Sequence, residues 1–449
     1  MRAPGLRTLG GPLLALCLAA PAGRVAAQPT YEPPATLRAT DIVPASRLTG
    51  SRYTIDEAVP TDGFLARVMI RSDFGTFEAR GPGMVTIRLG EVAALALLEE
   101  ITTSAAFASG VKESAQQLGQ TFQQLIDKPA ETVQAIPAGI GRFFERTSQA
   151  AKRGAQKVGD AKAAEKGVPP PEGPGSRLPG APAPDAPRPD VNPSAEAARL
   201  AGRTTVDIFG YDDARRRLAK RVRVDPYTTN PVLAKRLDDV AWASFAGGLG
   251  LDLVKAQVPG SFAVSVTTTL SDWVWDTPPN DLRVANNGAL LALGVDQESV
   301  DRLLRHPAYT LTLQTGLVRA LDRLAGVKDR PAVLPLALTV LSEDQARFVV
   351  GAVEMLARYH ETVAPIAVVE VRGTVVGRTN SGRLVVPGPV DYLSWTERMA
   401  RFARRADLAV KDRELRLTGQ VSPRVRQELS RLGWTVQEQA IDPAATVTR

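Results

Sequence analysis

The 449-residue chain contains one cysteine, Cys17, and two histidines, His306 and His360. A lone thiol makes no intrachain disulfide and no cysteine metal site, and two histidines are too few for a histidine-rich metal centre. His360-Glu361 lacks the second histidine of a zinc-protease helix, and His306 stands just before Pro307, where a helix-end role fits better. There is no nucleophile elbow of the G-x-S-x-G type, no P-loop, no dinucleotide fingerprint and no calcium loop. Ser109 and Lys112 have S-x-x-K spacing, but no K-T-G follows. No catalytic residue, metal ligand or cofactor is assigned. Long apolar runs are also missing. Val92–Ile101 is broken by Glu99 and Glu100, and Val333–Leu341 is far below the roughly 20 residues a spanning helix needs.

What the N-terminus does have is the layout of a secretory signal peptide. Arg2 and Arg7 precede the apolar "GPLLALCLAA", and Val25-Ala26-Ala27 sets small residues before Gln28. Paired arginines for twin-arginine export are missing, and Leu16 before Cys17 does not fit a lipoprotein signal. General secretion with cleavage after Ala27 is expected, to the periplasm or beyond. Cleavage would remove Cys17 and three arginines, lowering the formal charge of +7 to +4. The mature chain must then be held by its apolar core. A balance so near neutral gives no reason to expect nucleic acid as a partner.

Composition divides the rest. Residues 167–198 form a Pro/Gly/Ala-rich segment that cannot bury enough apolar surface to order itself, so it reads as a disordered linker or insertion. Residues 28–60 are Pro-punctuated and extended in expectation. Phe64–Ser72, Gly75–Gly81 and Gly83–Glu91 alternate as three short strands, and a helical period begins near Val92 with Leu95, Leu98 and Ile101. Residues 199–363 are mainly helical, with Asp296 and a Ser342/Gln345 box as caps and Pro307 and Gly326 as stops. Over 364–449 the pattern predicts a hairpin turning at "TNSGR", a helix boxed by Ser394 and Glu397, and a β-α-β unit whose helix opens at Ser422-Pro423 and closes at Gly433. The fold class is α+β: an N-terminal antiparallel meander with helices (28–166), the linker, a helical region, and a C-terminal α/β region. That last region either folds with 28–166 or stands apart.

Three stretches carry candidate chemistry. In "SDWVWD" Asp272, Trp273, Trp275 and Asp276 set aromatic faces beside carboxylates, which suits a sugar ligand and carboxylate-dependent glycan hydrolysis. The competing reading continues the alternation of "FAVSVTTTL", so that both tryptophans share one face of an extended segment and bury together. "DDARRRLAKRVR" (Asp212–Arg223) is conceivable as a phosphate contact, but its Asp212/Arg216 and Asp213/Arg217 spacings suit an exposed, solvated helix. In "GIGRFFERTSQAAKRGAQKV" (Gly139–Val158), Ile140, Phe143 and Phe144 share a helix face, and five basic residues including Arg142 and Arg146 face one acid, Glu145. Its "GIGRFF" resembles the start of cationic membrane-active peptides of the magainin kind, over six residues. Burying the three apolar anchors is worth about 5–8 kcal/mol. They either dock on the protein's own fold, the commoner outcome, or contact an anionic membrane surface or another envelope protein. The function expected is a structural or interaction role at the cell envelope. The alternative is the carboxylate-dependent glycan hydrolase, and the missing motifs lean against an enzyme.

Overall fold

A computed structural model describes residues 30–103, 211–247 and 268–440. The signal segment, the stretch Gly139–Val158 expected to be an amphipathic helix, and the Pro-rich stretch lie outside the described residues, and elements are numbered over the described ones. The architecture is α+β.

The N-terminal part is antiparallel. Strand β1 (Thr36–Arg38) leads into a short helix α1 (Ala39–Ile42), followed by β2 (Thr49–Gly50), β3 (Tyr53–Ile55), β4 (Ala58–Pro60), β5 (Arg67–Ser72) and β6 (Gly75–Arg80). Strand β1 pairs with β4, and the other four form a sheet in the order β2-β3-β5-β6. Residues 28–60 are thus more structured than their prolines suggest. In β5 and β6, Val68 pairs with Ala79 and Ile70 with Phe77. Val68, Ile70 and Ala79 are buried, the period-2 pattern of a half-covered sheet.

The third expected strand, Gly83–Glu91, is instead the start of helix α2 (Met84–Thr103). Gly81 and Gly83, both at positive φ, turn the chain out of β6. Val85 and Ile87 alternate over too short a run to decide the period. The repeat carried by the buried Leu89, Val92, Leu95 and Leu98 is helical and runs on unbroken.

The helical region comprises α3 (Tyr211–Arg221), α4 (Pro231–Gly247), α5 (Thr268–Asp276), α6 (Pro279–Ala292), α7 (Gln297–Leu304), α8 (Leu311–Arg323), α9 (Val333–Ala337) and α10 (Glu343–Thr362). Asp296 caps α7 by accepting from Ser299 N. Ser342 accepts from Gln345 N at 3.4 Å, but the Gln345 side chain accepts from Leu341 N, one residue before the position a capping box requires. Leu317, Leu321, Val349, Val353 and Leu356 pack α8 on α10 and, with Val369, Val375 and Val385, on the C-terminal sheet. A second cluster joins Leu95 and Leu98 of α2 to Leu218, Leu233 and Leu237 of α3 and α4.

The C-terminal sheet contains β7 (Ile366–Val371), β8 (Val375–Thr379), β9 (Leu384–Gly388), β11 (Arg413–Leu417) and β13 (Thr435–Gln437), in the order β13-β11-β9-β8-β7. Strands β7, β8 and β9 are antiparallel, with the β8–β9 turn at Thr379–Arg383 and Gly382 at φ +88°. Strands β9, β11 and β13 are parallel. Helix α12 (Pro423–Arg431) makes the crossover, capped by Ser422 and closed by Gly433 at φ +78°. Two short strands, β10 (Tyr392–Leu393) and β12 (Gln420–Val421), pair alongside. Helix α11 (Glu397–Ala403) is capped by Thr396, which accepts from Met399 N at 3.2 Å. The expected cap Ser394 accepts instead from Ala35 N.

Ser394 belongs to a seam between the N-terminal part and the C-terminal sheet. Asp391 N and Tyr392 N donate to Phe64 O, and Ser394 N donates to Gly63 O. A Cβ on Gly63 would lie 2.8 Å from Thr396 Cγ2, and its φ is +87°, so both space and conformation require glycine. Glu32 Oε2 accepts from Trp395 N and from Ser422 Oγ, each at 2.6 Å. Asp391 Oδ2 accepts from Ala66 N at 2.8 Å. Burial pushes the Asp391 carboxyl up to about 7, the nearby Asp62 carboxylate adds to the shift, and the Ala66 N–H opposes it.

In the unfolded chain this carboxyl titrates near 3.8. Between pH 4 and 7 the folded state therefore holds a proton that the unfolded state has released. The stability this supplies is complete below the unfolded value and is lost as pH rises through about 7. Asp391→Asn keeps an acceptor for Ala66 N without ever charging. At about 1.4 kcal/mol per unit of pKa, the variant should gain on the wild type by on the order of 3 kcal/mol between pH 5 and pH 8. Urea unfolding at the two pH values measures this, and parallel profiles for the two proteins would refute the assignment.

Candidate functional site

Helix α5 carries all four residues singled out for a ligand, which corrects the extended reading of the two tryptophans. On a helix, Trp273 and Trp275 stand about 200° apart and cannot share a face. Trp275 turns inward, packs on the α2–α3–α4 cluster, and donates from Nε1 to Val224 O at 2.8 Å. Trp273 lies nearer the surface, with the Arg319 guanidinium 3.5 Å from its ring centroid. That arginine occupies a face on which a sugar would stack. Asp276 is ion-paired with Lys220 Nζ at 2.7 Å, and Asp272 is exposed. Asp272 and Asp276, four residues apart, share one side of the helix, but Trp275 stands away from them, Asp276 is held by Lys220 and the Trp273 ring is covered by Arg319.

The basic helix α3 is packed rather than solvated all round. Arg216 is 5% exposed and donates to Trp275 O and Asp213. Arg215 pairs with Asp238, and Lys220 with Asp276. Of the two expected i,i+4 pairs, Asp213–Arg217 forms at 2.8 Å, while Arg216 takes Asp213 three residues back instead of Asp212. Ala214, Leu218 and Ala219 bury the opposite face.

Both histidines hold backbone. His306 Nδ1 accepts from Ala308 N at 3.3 Å, and the ring meets Tyr309 edge-on. His360 Nδ1 accepts from Ile366 N at 3.0 Å, fixing the passage from α10 to β7. Among the described residues, no group of three or more His, Cys, Asp or Glu side chains could hold a metal ion.

A crevice lined by several charged and polar side chains lies where α2, the 223–230 loop, α8 and α10 meet. Its volume is about 30 Å³, and its lining includes Arg88, Glu91, Asp225, Thr228, Thr312 and Arg347. Glu91 is 3% exposed. It accepts from Arg88 Nη1 at 2.7 Å, Thr228 Oγ1 at 2.6 Å and Asn230 Nδ2 at 2.9 Å. Asn230 also caps α4 by accepting from Val232 N and Leu233 N. Asp225 Oδ1 accepts from Tyr227 N at 2.7 Å and Thr312 Oγ1 at 2.8 Å. Burial raises the Asp225 carboxyl above the usual carboxylate range against these two bonds, and pushes the Tyr227 phenol up to about 12. Two carboxylates in different environments is the pattern of acid–base chemistry. The space, however, admits one or two waters rather than a sugar ring. Its chemistry is that of a polar knot tying helices together.

Sequence reasoning missed this knot. Asn230-Pro231, an N-cap before a proline at the first helical position, was its readable trace. So was Glu91, a lone acid inside an apolar helical run.

Comparison with known proteins adds no assignment: no family model, curated protein or solved structure matches the chain.

Removing the Glu91 carboxylate leaves the buried Asn230 Nδ2 without its acceptor and the part-buried Arg88 without its carboxylate, so Glu91→Ala should destabilise by about 2–4 kcal/mol. The exposed partner Asp276 offers a control, with Asp276→Ala expected to cost under about 1 kcal/mol. Similar urea midpoints for the two variants would refute the structural role of Glu91.

Proposed function

We propose that this chain is an exported protein with a structural or interaction role at the cell envelope, presenting a basic amphipathic helix at Gly139–Val158 to an anionic membrane surface or another envelope protein. The observation that favours this over glycan hydrolysis is that the α5 side chains are already engaged. Trp273 is covered by Arg319, Trp275 packs on the α2–α3–α4 cluster, and Asp276 is tied to Lys220, which leaves neither a free aromatic face nor a free carboxylate pair there. Glu91 and Asp225, which line one crevice, flank a space too small for a sugar. The compartment rests on the charge and apolar pattern before Gln28. Among the described residues, no helix is long and apolar enough to cross a membrane. On this reading the contact is peripheral, through Ile140, Arg142, Phe143, Phe144 and Arg146.

Two measurements test the reading. Mass spectrometry of the exported protein should find Gln28 at its N-terminus, and an intact Met1 in a cytoplasmic fraction would overturn the compartment. Phe143→Ala with Phe144→Ala should leave the unfolding midpoint unchanged and weaken binding to vesicles containing phosphatidylglycerol. Loss of about 3–5 kcal/mol per phenylalanine would show instead that the helix docks on its own fold.

A further inference from the structure

The body neutralises most of its arginines. Arg71 is held by Asp56, Arg80 by Asp62, Arg323 by Glu361, Arg378 by Glu370 and Arg426 by Glu438. Helix α11 departs from this rule. Met399, Ala400 and Ala403 bury its inner face, Arg398 and Arg401 leave its outer side, and Arg404 at its C-cap continues the row. At 100° per residue the three fall within an arc of about 120°. All three are exposed.

Among the described residues, neither Arg398 nor Arg404 has a carboxylate partner. Arg398 instead lies over the Phe64 ring at 4.8 Å, and Arg404 over the Trp395 ring at 5.6 Å. Arg401 reaches Glu397, the one carboxylate in the same arc, only at 3.9 Å, with both side chains more than half exposed. An aromatic face braces a guanidinium without cancelling its charge. The neighbouring Arg405 is closed by a two-pronged pair with Asp407, so the exposed set is Arg398 and Arg404, both unpaired, with the loosely paired Arg401 between them.

We infer that the outer face of α11 is a docking surface for anionic phospholipid headgroups. The inference rests on the envelope reading but not on the Gly139–Val158 helix. A convex helix face carrying three exposed guanidinium groups against one carboxylate, Glu397, fits a planar array of phosphates better than a single acidic peptide, which needs a groove. Guanidinium is weakly hydrated and binds phosphate oxygens in a two-pronged manner. Each basic side chain near an anionic bilayer is worth about a fivefold gain in partitioning, so three give about a hundredfold. That is marginal as a sole anchor and effective as one of two.

The test uses the full mature chain and vesicles of phosphatidylcholine with or without phosphatidylglycerol. Arg398→Gln, Arg401→Gln and Arg404→Gln combined should lower partitioning to the anionic vesicles by one to two orders of magnitude. Wild-type binding should fall steeply between 0.1 and 0.5 M salt, values chosen to span a Debye length of about 10 Å down to a few ångströms. Because Arg398 and Arg404 also brace rings, Arg401→Gln alone serves as the variant that touches no ring, with about a fivefold loss expected. Unchanged binding by the triple variant would overturn the inference. If Phe143→Ala with Phe144→Ala abolishes binding that the triple variant leaves unchanged, the helix reading stands without the α11 surface; loss in both variants supports the α11 surface as one of two anchors. Loss in the triple variant with no loss in the phenylalanine pair supports the α11 surface and removes the helix. Equal binding to vesicles lacking phosphatidylglycerol, or capture by immobilised polyglutamate with none by vesicles, would also overturn it.

Discussion

A carboxylate removed from water has to be satisfied by whatever surrounds it, and at Glu91 the surroundings come from distant parts of the chain. Arg88 lies on the same helix, but Thr228 and Asn230 follow more than a hundred residues later. Breaking any of these bonds leaves a buried charge or a buried amide without a partner, which costs more than an average hydrogen bond returns. The requirement fixes how α2 sits against α3 and α4. The apolar contacts of Leu95 and Leu98 with Leu218, Leu233 and Leu237 supply the attraction, and they tolerate small slides. The Glu91 bonds do not, because their geometry is directional. Asn230 couples the two levels, since the side chain that donates to Glu91 also caps α4.

The seam between the N-terminal part and the C-terminal sheet follows the same logic with different donors. Glu32 and Asp391 accept mainly from main-chain N–H groups and a serine hydroxyl, not from cations. A backbone donor cannot move away as a long side chain does, so these bonds define register. Their weakness is charge. Glu91 has Arg88 at hand, whereas Asp391 is offered one N–H and faces Asp62, so its ionised form is poorly matched to its place. The junction at Asp391 is therefore sensitive to pH.

The parts of this fold legible in the sequence are those in which local chemistry and tertiary packing agree. "TNSGR" closes a hairpin because Gly382 takes a left-handed conformation there, and Ser422-Pro423 opens a helix because a hydroxyl cap and a fixed φ stand in adjacent residues. Asp296 caps α7 for the same local reason. The misreadings occur where two periods fit one short run. Val85 and Ile87 suit a strand taken alone, and only the longer repeat through Leu98 makes them the first turns of α2. Ser394 and Glu397 satisfy a capping-box spacing, yet Ser394 is drawn to Ala35, hundreds of residues away, and Thr396 takes the cap. At α5 the aromatic–acid cluster was visible in sequence, but the directions of its side chains depend on Arg319, Lys220 and Val224, none of which adjacency in sequence points to.

Basic residues tell the complementary story. Forty-four of the fifty-five are arginine, the side chain that both forks onto carboxylates and stacks on rings. The described part uses both modes: Arg413 lies over Trp434 and Arg416 over Tyr359, while Arg416 also pairs with Glu414. Arginine can therefore serve as packing material in a chain without disulfides, its planar head covering aromatic surface that lysine would leave bare. The two modes differ in what they leave behind. Pairing with a carboxylate consumes the charge, whereas stacking on a ring holds the group in place with its charge intact. Where arginines are stacked and unpaired on one exposed face, as along α11, the fold has fixed a positive surface in position without neutralising it.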